Sequence, residues 1–149
     1  MAISRGAGTE IIRSIILEDV DSNGREIIIG VQHHIYTVLS VVVKCLVSNS
    51  SASNGFIYLN GYDSSAGTTN RSLHLFQWPL VANETFVWND KWSFNGHEPT
   101  NFAGPMDSIV KQDAIADQGS SVSQKLIVYT TNSADRLDVF CTYIDQNNA

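Results

Sequence analysis

The amino-acid sequence predicts an all-β chain: a single antiparallel β-sandwich, jelly-roll-like, with an extended N-terminal arm. Three observations carry the prediction. About eight short runs rich in β-branched and aromatic residues are separated by clusters of Gly, Pro, Asn, Asp and Ser, the pattern of a sandwich or barrel. The longest run, 35–47, is dominated by Val, Ile and Thr, whose branched side chains disfavour a helix of that length. No strand–helix–strand alternation is present, so a parallel sheet is not expected.

At 149 residues the chain is the size of one ordinary domain and long enough to bury a substantial core. Hydrophobic residues make up 43% and charged residues 16%, a balance that disfavours disorder. Residues 1–9 are small, polar and Gly-bearing and read as an extended arm, with the sandwich over 10–149.

The elements follow in order. Runs 10–20 and 25–31 flank Asp21-Ser22-Asn23-Gly24. Asn-Gly between β-type runs predicts a hairpin, because both residues tolerate positive φ. In 35–47 the odd positions Ile35, Thr37, Leu39, Val41, Val43, Cys45 and Val47 are nearly all apolar, whereas the even set holds Tyr36, Ser40 and Lys44. The odd face is therefore expected to be buried more completely. A turn over 48–55 leads to a strand over 56–62, and 63–71 reads as a Ser/Thr/Gly loop. The strand 73–78 stops at Pro79, which has no N–H for a ladder bond. Runs 85–88 and 91–94 flank Asn89-Asp90, again hairpin-like. Residues 95–105 read as a loop, and 106–118 is the one stretch with some helical pattern. The last strands are 125–130 and 137–144, the final one with Leu137, Val139, Cys141 and Tyr143 on one face and Asp138 and Thr142 on the other.

Charge narrows the partners. The net charge is -6 and the nine Lys and Arg residues are scattered, so neither a phosphate backbone nor an anionic membrane is an expected partner. No apolar run approaches the roughly 18 residues of a membrane helix. The opening Met-Ala-Ile-Ser-Arg-Gly-Ala-Gly has no apolar core of signal-peptide length. The expectation is a soluble chain made in a cytoplasm. There, Cys45 and Cys141 read as small buried hydrophobes, with no Cys-x-x-Cys pair for zinc or redox work. The Asn-x-Ser/Thr triplets at Asn49, Asn70 and Asn83 then reflect a Ser/Thr/Asn-rich composition.

A search for chemistry returns little. His33 and His34 are adjacent, and on a strand they point to opposite faces, which prevents them from sharing a metal. His74 and His97 stand in unrelated contexts. Glu18, Asp19 and Asp21 crowd the first turn, but their spacing is a weak calcium signal beside a solvated turn. Neither a Gly-x-Ser-x-Gly elbow nor a phosphate-cradling Gly loop occurs. No catalytic residue, cofactor or metal is expected. The aromatic middle, Phe76, Trp78, Phe86, Trp88, Trp92 and Phe94, reads chiefly as core, with Trp88 and Trp92 as candidate interface residues.

Three segments carry a resemblance: Gly30-Val31-Gln32-His33-His34-Ile35-Tyr36-Thr37-Val38-Leu39, then Thr85-Phe86-Val87-Trp88-Asn89-Asp90-Lys91, then Thr142-Tyr143-Ile144-Asp145-Gln146. Their order resembles a family of small structural proteins of tailed bacteriophages, β-sandwich virion components of the capsid decoration (cement) type or from near the head–tail junction. The segment 95–123 is longer than that pattern. The resemblance implies a virion protein that binds the major capsid protein or another virion protein, assembles as a homotrimer and catalyses nothing. The arm, with Ala2, Ile3, Ser4 and Arg5, is then a candidate docking element that adds to a neighbour's strand edge.

Two other classes compete. A carbohydrate-binding module would use the Trp cluster and the polar loops 63–71 and 95–105. A jelly-roll enzyme would need His and carboxylate groups from distant segments to converge.

Overall fold

The computed structural model describes residues 9–63, 66–99, 107–117 and 121–147. In chain order these form β1 (Thr9–Val20), β2 (Arg25–Ile29), β3 (His34–Val47), β4 (Asn54–Asp63), β5 (Thr68–Pro79), β6 (Thr85–Trp88), β7 (Trp92–Asn95), β8 (His97–Pro99), α1 (Ile109–Asp117), β9 (Ser121–Ser123), β10 (Lys125–Thr130) and β11 (Arg136–Asn147). Sheet A has the order β1-β11-β3-β6, with β7 also on β3. Sheet B has the order β2-β10-β4-β5, and β8 and β9 form a separate ribbon.

Every pairing is antiparallel, and the pairs nest: β1 with β11, β2 with β10, β3 with β6 and β7, β4 with β5. The chain is thus one long hairpin, closed at β4–β5, rolled so that each arm crosses between the two sheets. That is the jelly roll.

The rolled path corrects both predicted hairpins. Asn23-Gly24 does turn the chain, with Gly24 at φ 75, but it carries β1 of sheet A over to β2 of sheet B. β1 finds its partner in β11 and β2 in β10, not in each other. Likewise β6 and β7 do not pair with each other; both lie antiparallel along β3, β6 on Val41–Lys44 and β7 on Ile35–Val38. They are one interrupted edge strand.

Opposite that interruption, β3 carries a bulge. Its register with β11 passes from Ser40↔Thr142 to Val38↔Tyr143, leaving Leu39 extra. An extra residue reverses the alternation of faces. Tyr36 and Val38 are therefore buried before the bulge and Val41, Val43 and Cys45 after it, while Ile35 and Val47 are exposed. The predicted odd face holds only beyond Leu39. In β11 the alternation is unbroken, and Leu137, Val139 and Cys141 are fully buried on the predicted face.

The two inner faces close over a core that includes Val41, Val43, Leu137 and Val139 from sheet A and Ile57, Leu126 and Val128 from sheet B. The flank between β5 and β6/β7 is filled by rings. Trp78 stacks on Phe86 at 4.7 Å, Phe76 meets Trp88 edge-on at 3.9 Å, and Trp88, Trp92, Phe94 and Tyr36 continue the file at 5.4–5.5 Å. Pro79 closes β5, the edge strand of sheet B, where a missing N–H breaks no ladder. β5 begins at Thr68, so the predicted 63–71 loop is largely strand, and His97–Pro99 pairs Ser121–Ser123 within what was expected as loop. The predicted helical stretch contains α1, whose Ile109 and Val110 face solvent.

One polar staple is buried. Asp135, 0% exposed, accepts hydrogen bonds from the Asn49 N–H at 2.7 Å, the Ser53 hydroxyl at 3.0 Å and the Asn132 N–H at 3.0 Å. It ties the β10–β11 turn to the β3–β4 turn, and its negative charge is met by converging donors.

Candidate functional site

The candidate interface residues of the arm, Ala2, Ile3, Ser4 and Arg5, lie outside the described residues. Trp88 and Trp92 lie within them, half-buried in the ring file against the core and stacked on each other. Among the described residues, Trp92 Nε1 is a buried donor without a partner.

The two cysteines are buried, free and not opposite each other: Cys45 faces Leu137 and Cys141 faces Val41. Burial pushes the Cys141 thiol up to about 12 and raises that of Cys45 as well. The thiolate, the reactive form, is disfavoured at both. His33 sits in the turn before β3 at φ 62, not on a strand, and His34 opens the strand.

At that end of sheet A the structure builds a cluster the sequence reading missed. Asp145 accepts from Arg13 Nε at 2.9 Å and stands 2.6 Å from His34 Nδ1. Neighbouring Tyr36 accepts a hydrogen bond from the Val31 N–H. Burial first, then the Asp145 charge, pushes its phenol up to about 12. The cluster joins β1, β3 and β11. Among the described residues, no group of three or more His, Cys, Asp or Glu side chains is placed to hold a metal ion.

The outer face of sheet A is a second candidate surface. Cross-strand register aligns Ile16 with Phe140, Phe140 with Val42, and Val42 with Val87. This apolar ladder spans four strands, with Ile16 66% and Val87 56% exposed. Beside it runs a hydroxyl row, Ser14, Thr142 and Ser40, and beyond that Ile12 opposite Ile144. No charge lies within these rows, and Asp138 opposite Lys44 forms the next row on the other side of the ladder. Contiguous apolar surface of this kind marks an interaction face more often than scattered single residues do.

The outer face of sheet B has a different chemistry. Phe56 and Tyr58 on β4, His74 on β5 and Tyr129 on β10 form an aromatic group. A cleft of about 360 Å³ separates it from the β1–β2 turn. The residues share a face because 56 and 58 alternate outward on β4 and pair with Tyr129 and His74 on its two sides. A signal was present in the outward Phe-x-Tyr alternation, but not the strands that complete the group.

The described residues define the class of the fold as a two-sheet jelly roll. No protein-family model matches the chain. No curated protein matches it in sequence. Among solved structures, it is similar to a chain from Bacillus endospore appendages, described as forming a novel family of disulfide-linked pili. That match has 9% identity, covers 100% of this chain and 97% of that one, and has a TM-score of 0.44. It is also similar to a chain of the T13 IBDV viral particle, at 9% identity, 99% and 37% coverage and a TM-score of 0.39. A chain from infectious bursal disease virus Gt strain matches at 12% identity, 97% and 33% coverage and a TM-score of 0.30. The jelly-roll assignment stands on the strand order, independent of these similarities.

Proposed function

We propose that this chain is a non-enzymatic structural protein of a phage virion: a capsid decoration (cement) protein, made in the host bacterial cytoplasm, that binds across neighbouring major-capsid subunits. The observation that carries this reading is the uncharged ladder Ile16, Phe140, Val42 and Val87 on the outer face of sheet A. A jelly roll holds such a face on paired strands, so little ordering entropy is lost on docking. Each aliphatic or phenyl side chain taken fully out of water contributes about 1.5–3 kcal/mol. A shell strained by packaged DNA is then stabilised by linkage, because separating its subunits would expose the interface. Many copies multiply a modest contact, and a homotrimer fits cyclic symmetry around a shell axis.

Immunogold electron microscopy on purified particles of the source phage tests this directly. Label spread evenly over the head is the expected result. Label confined to the tail would replace the reading with an adaptor role, and particles without label would overturn it.

A further inference from the structure

We infer that the cleft on the outer face of sheet B is a binding site for a neutral saccharide. The inference holds whatever covers sheet A, since the two faces point away from each other.

Three aromatic side chains, Tyr58, His74 and Tyr129, line the cleft at angles to one another. Tyr58 stands nearly perpendicular to Tyr129, at 85° and 5.5 Å, and His74 is tilted 48° from Tyr58 at 5.4 Å. Rings meeting this way make a corner, not a flat stack. A pyranose fits such a corner by laying its C–H face on one ring while its hydroxyls point to polar groups around it. The corner is braced from behind: Phe56 stacks on Tyr129 at 4.7 Å and 12°, and Tyr129 OH shares a 3.2 Å hydrogen bond with His74 Nε2.

The opposite rim is the turn through Ser22, Asn23 and Gly24, with Ser72 also lining the cleft. It is fixed in place. Asn23 N–H donates to Asp21 Oδ1 at 2.8 Å, Gly24 N–H to Asp21 O at 3.1 Å, and Thr130 N–H to the same carbonyl at 3.2 Å. Gly24 is required twice. Its φ is +75, and a Cβ there would lie 3.3 Å from both Tyr129 Cβ and Val128 O. The turn therefore rests against β10 beside Tyr129, and the rim is preorganised.

The lining decides the ligand. Hydroxyls, an amide and an imidazole provide donors and acceptors together, as a polyol needs. No Asp, Glu, Lys or Arg lines the cleft among the described residues. A nucleotide would also stack on these rings, but the adjoining cleft, which shares Asn23, Gly24 and Tyr58, sets Glu26 beside Arg25 in a chain of net charge -6, a poor seat for a phosphate. The volume lies within the roughly 300–1,000 Å³ of small-molecule sites.

The test uses the full chain, isotope-labelled, titrated with neutral gluco-, manno- and galacto-oligosaccharides and, separately, with oligothymidylate. Saturable shifts at Asn23, Tyr58, Ser72, His74 and Tyr129 with at least one neutral glycan are expected. Tyr58→Ala and His74→Ala should each weaken that binding by roughly tenfold, with the native melting transition retained because both side chains lie outside the core. Ile16→Asp, on the other sheet, should leave it unchanged. Three results would overturn the proposal: no saturable shift with any glycan, binding of oligothymidylate alone, or glycan binding indifferent to both cleft variants. None of these bears on where the chain sits in a particle, so failure here is separate from failure of the decoration reading.

Discussion

His34 Nδ1 and Asp145 Oδ1 stand 2.6 Å apart across 111 residues of chain. The carboxylate also takes Arg13 Nε at 2.9 Å, so one group at the end of β11 ties down β3 and β1. Asp145 is 7% exposed, which makes its hydrogen bonds expensive to lose. Asp145→Ala is expected to lower unfolding free energy by roughly 2–4 kcal/mol. Most of that loss belongs to the His34 side, since the half-exposed Arg13 contributes little through screened solvent. Urea denaturation of Asp145→Ala beside Arg13→Ala checks the division, and equal losses would contradict it.

Tyr36 sets an alkaline limit. Its folded pKa is raised from 10.0 to about 12. The unfolded chain therefore releases this proton first as pH rises. The contribution is fully present below about 10 and is lost progressively as pH climbs from 10 through about 12. Melting temperature should fall across that window, and the phenolate absorbance should show Tyr36 titrating latest, after Tyr58 and Tyr143, whose phenols burial also raises. Tyr36→Phe should remove the latest step and reduce the slope of this part of the pH dependence.

The thiols should be silent in the native state. With Cys141 raised to about 12 and both cysteines buried, a thiol-specific disulfide reagent should find nothing to label until the chain unfolds. It should then label two groups. Fast labelling of either under native conditions would mean that the sandwich opens there.

Three segments cross at Gly30, Gly96 and Gln124, where successive backbone bonds of 2.8 Å run from Gly30 N–H to Gln124 O and from Gln124 N–H to Gly96 O. A Cβ on Gly30 would fall 2.0 Å from Gly96 O, and one on Gly96 would fall 2.1 Å from Val31 O. The obstructing atoms are backbone and cannot swing aside. Gly96→Ala and Gly30→Ala should each cost on the order of 3 kcal/mol, read from thermal unfolding, whereas Gly67→Ala meets no atom within 4 Å and bears only the strain of φ +64.

The ladder on sheet A separates folding from docking. Val87→Asp and Ile16→Asp are exposed changes, expected to shift stability by no more than about 1 kcal/mol. Each should weaken attachment to particles by roughly tenfold or more, because a carboxylate would be trapped against apolar surface. Co-sedimentation of refolded variants with stripped particles measures this, and wild-type attachment by both would remove the ladder from the interface.

Much of the architecture was written locally. The strands 125–130 and 137–144, the stop at Pro79 and the inward face of Leu137, Val139 and Cys141 follow from alternation and from which residues can donate to a ladder. The errors share one origin. Asn23-Gly24 and Asn89-Asp90 turn the chain as their chemistry requires, but whether a turn joins two strands of one sheet depends on where the return strands lie. The bulge at Leu39 similarly depends on β11, more than ninety residues further on.

The same division separates the surfaces. The sequence by itself determined an all-β sandwich, its turn positions and a net charge of -6 with no run of Lys and Arg, because those properties belong to adjacent residues and to composition. Only the tertiary structure decided that Ile16, Phe140, Val42 and Val87 form one row, that Tyr58, His74 and Tyr129 share one cleft, and that Asp145 meets His34. Those groupings are matters of register between strands distant in the chain. Register is settled by the whole core closing at once, and no local window of residues contains it.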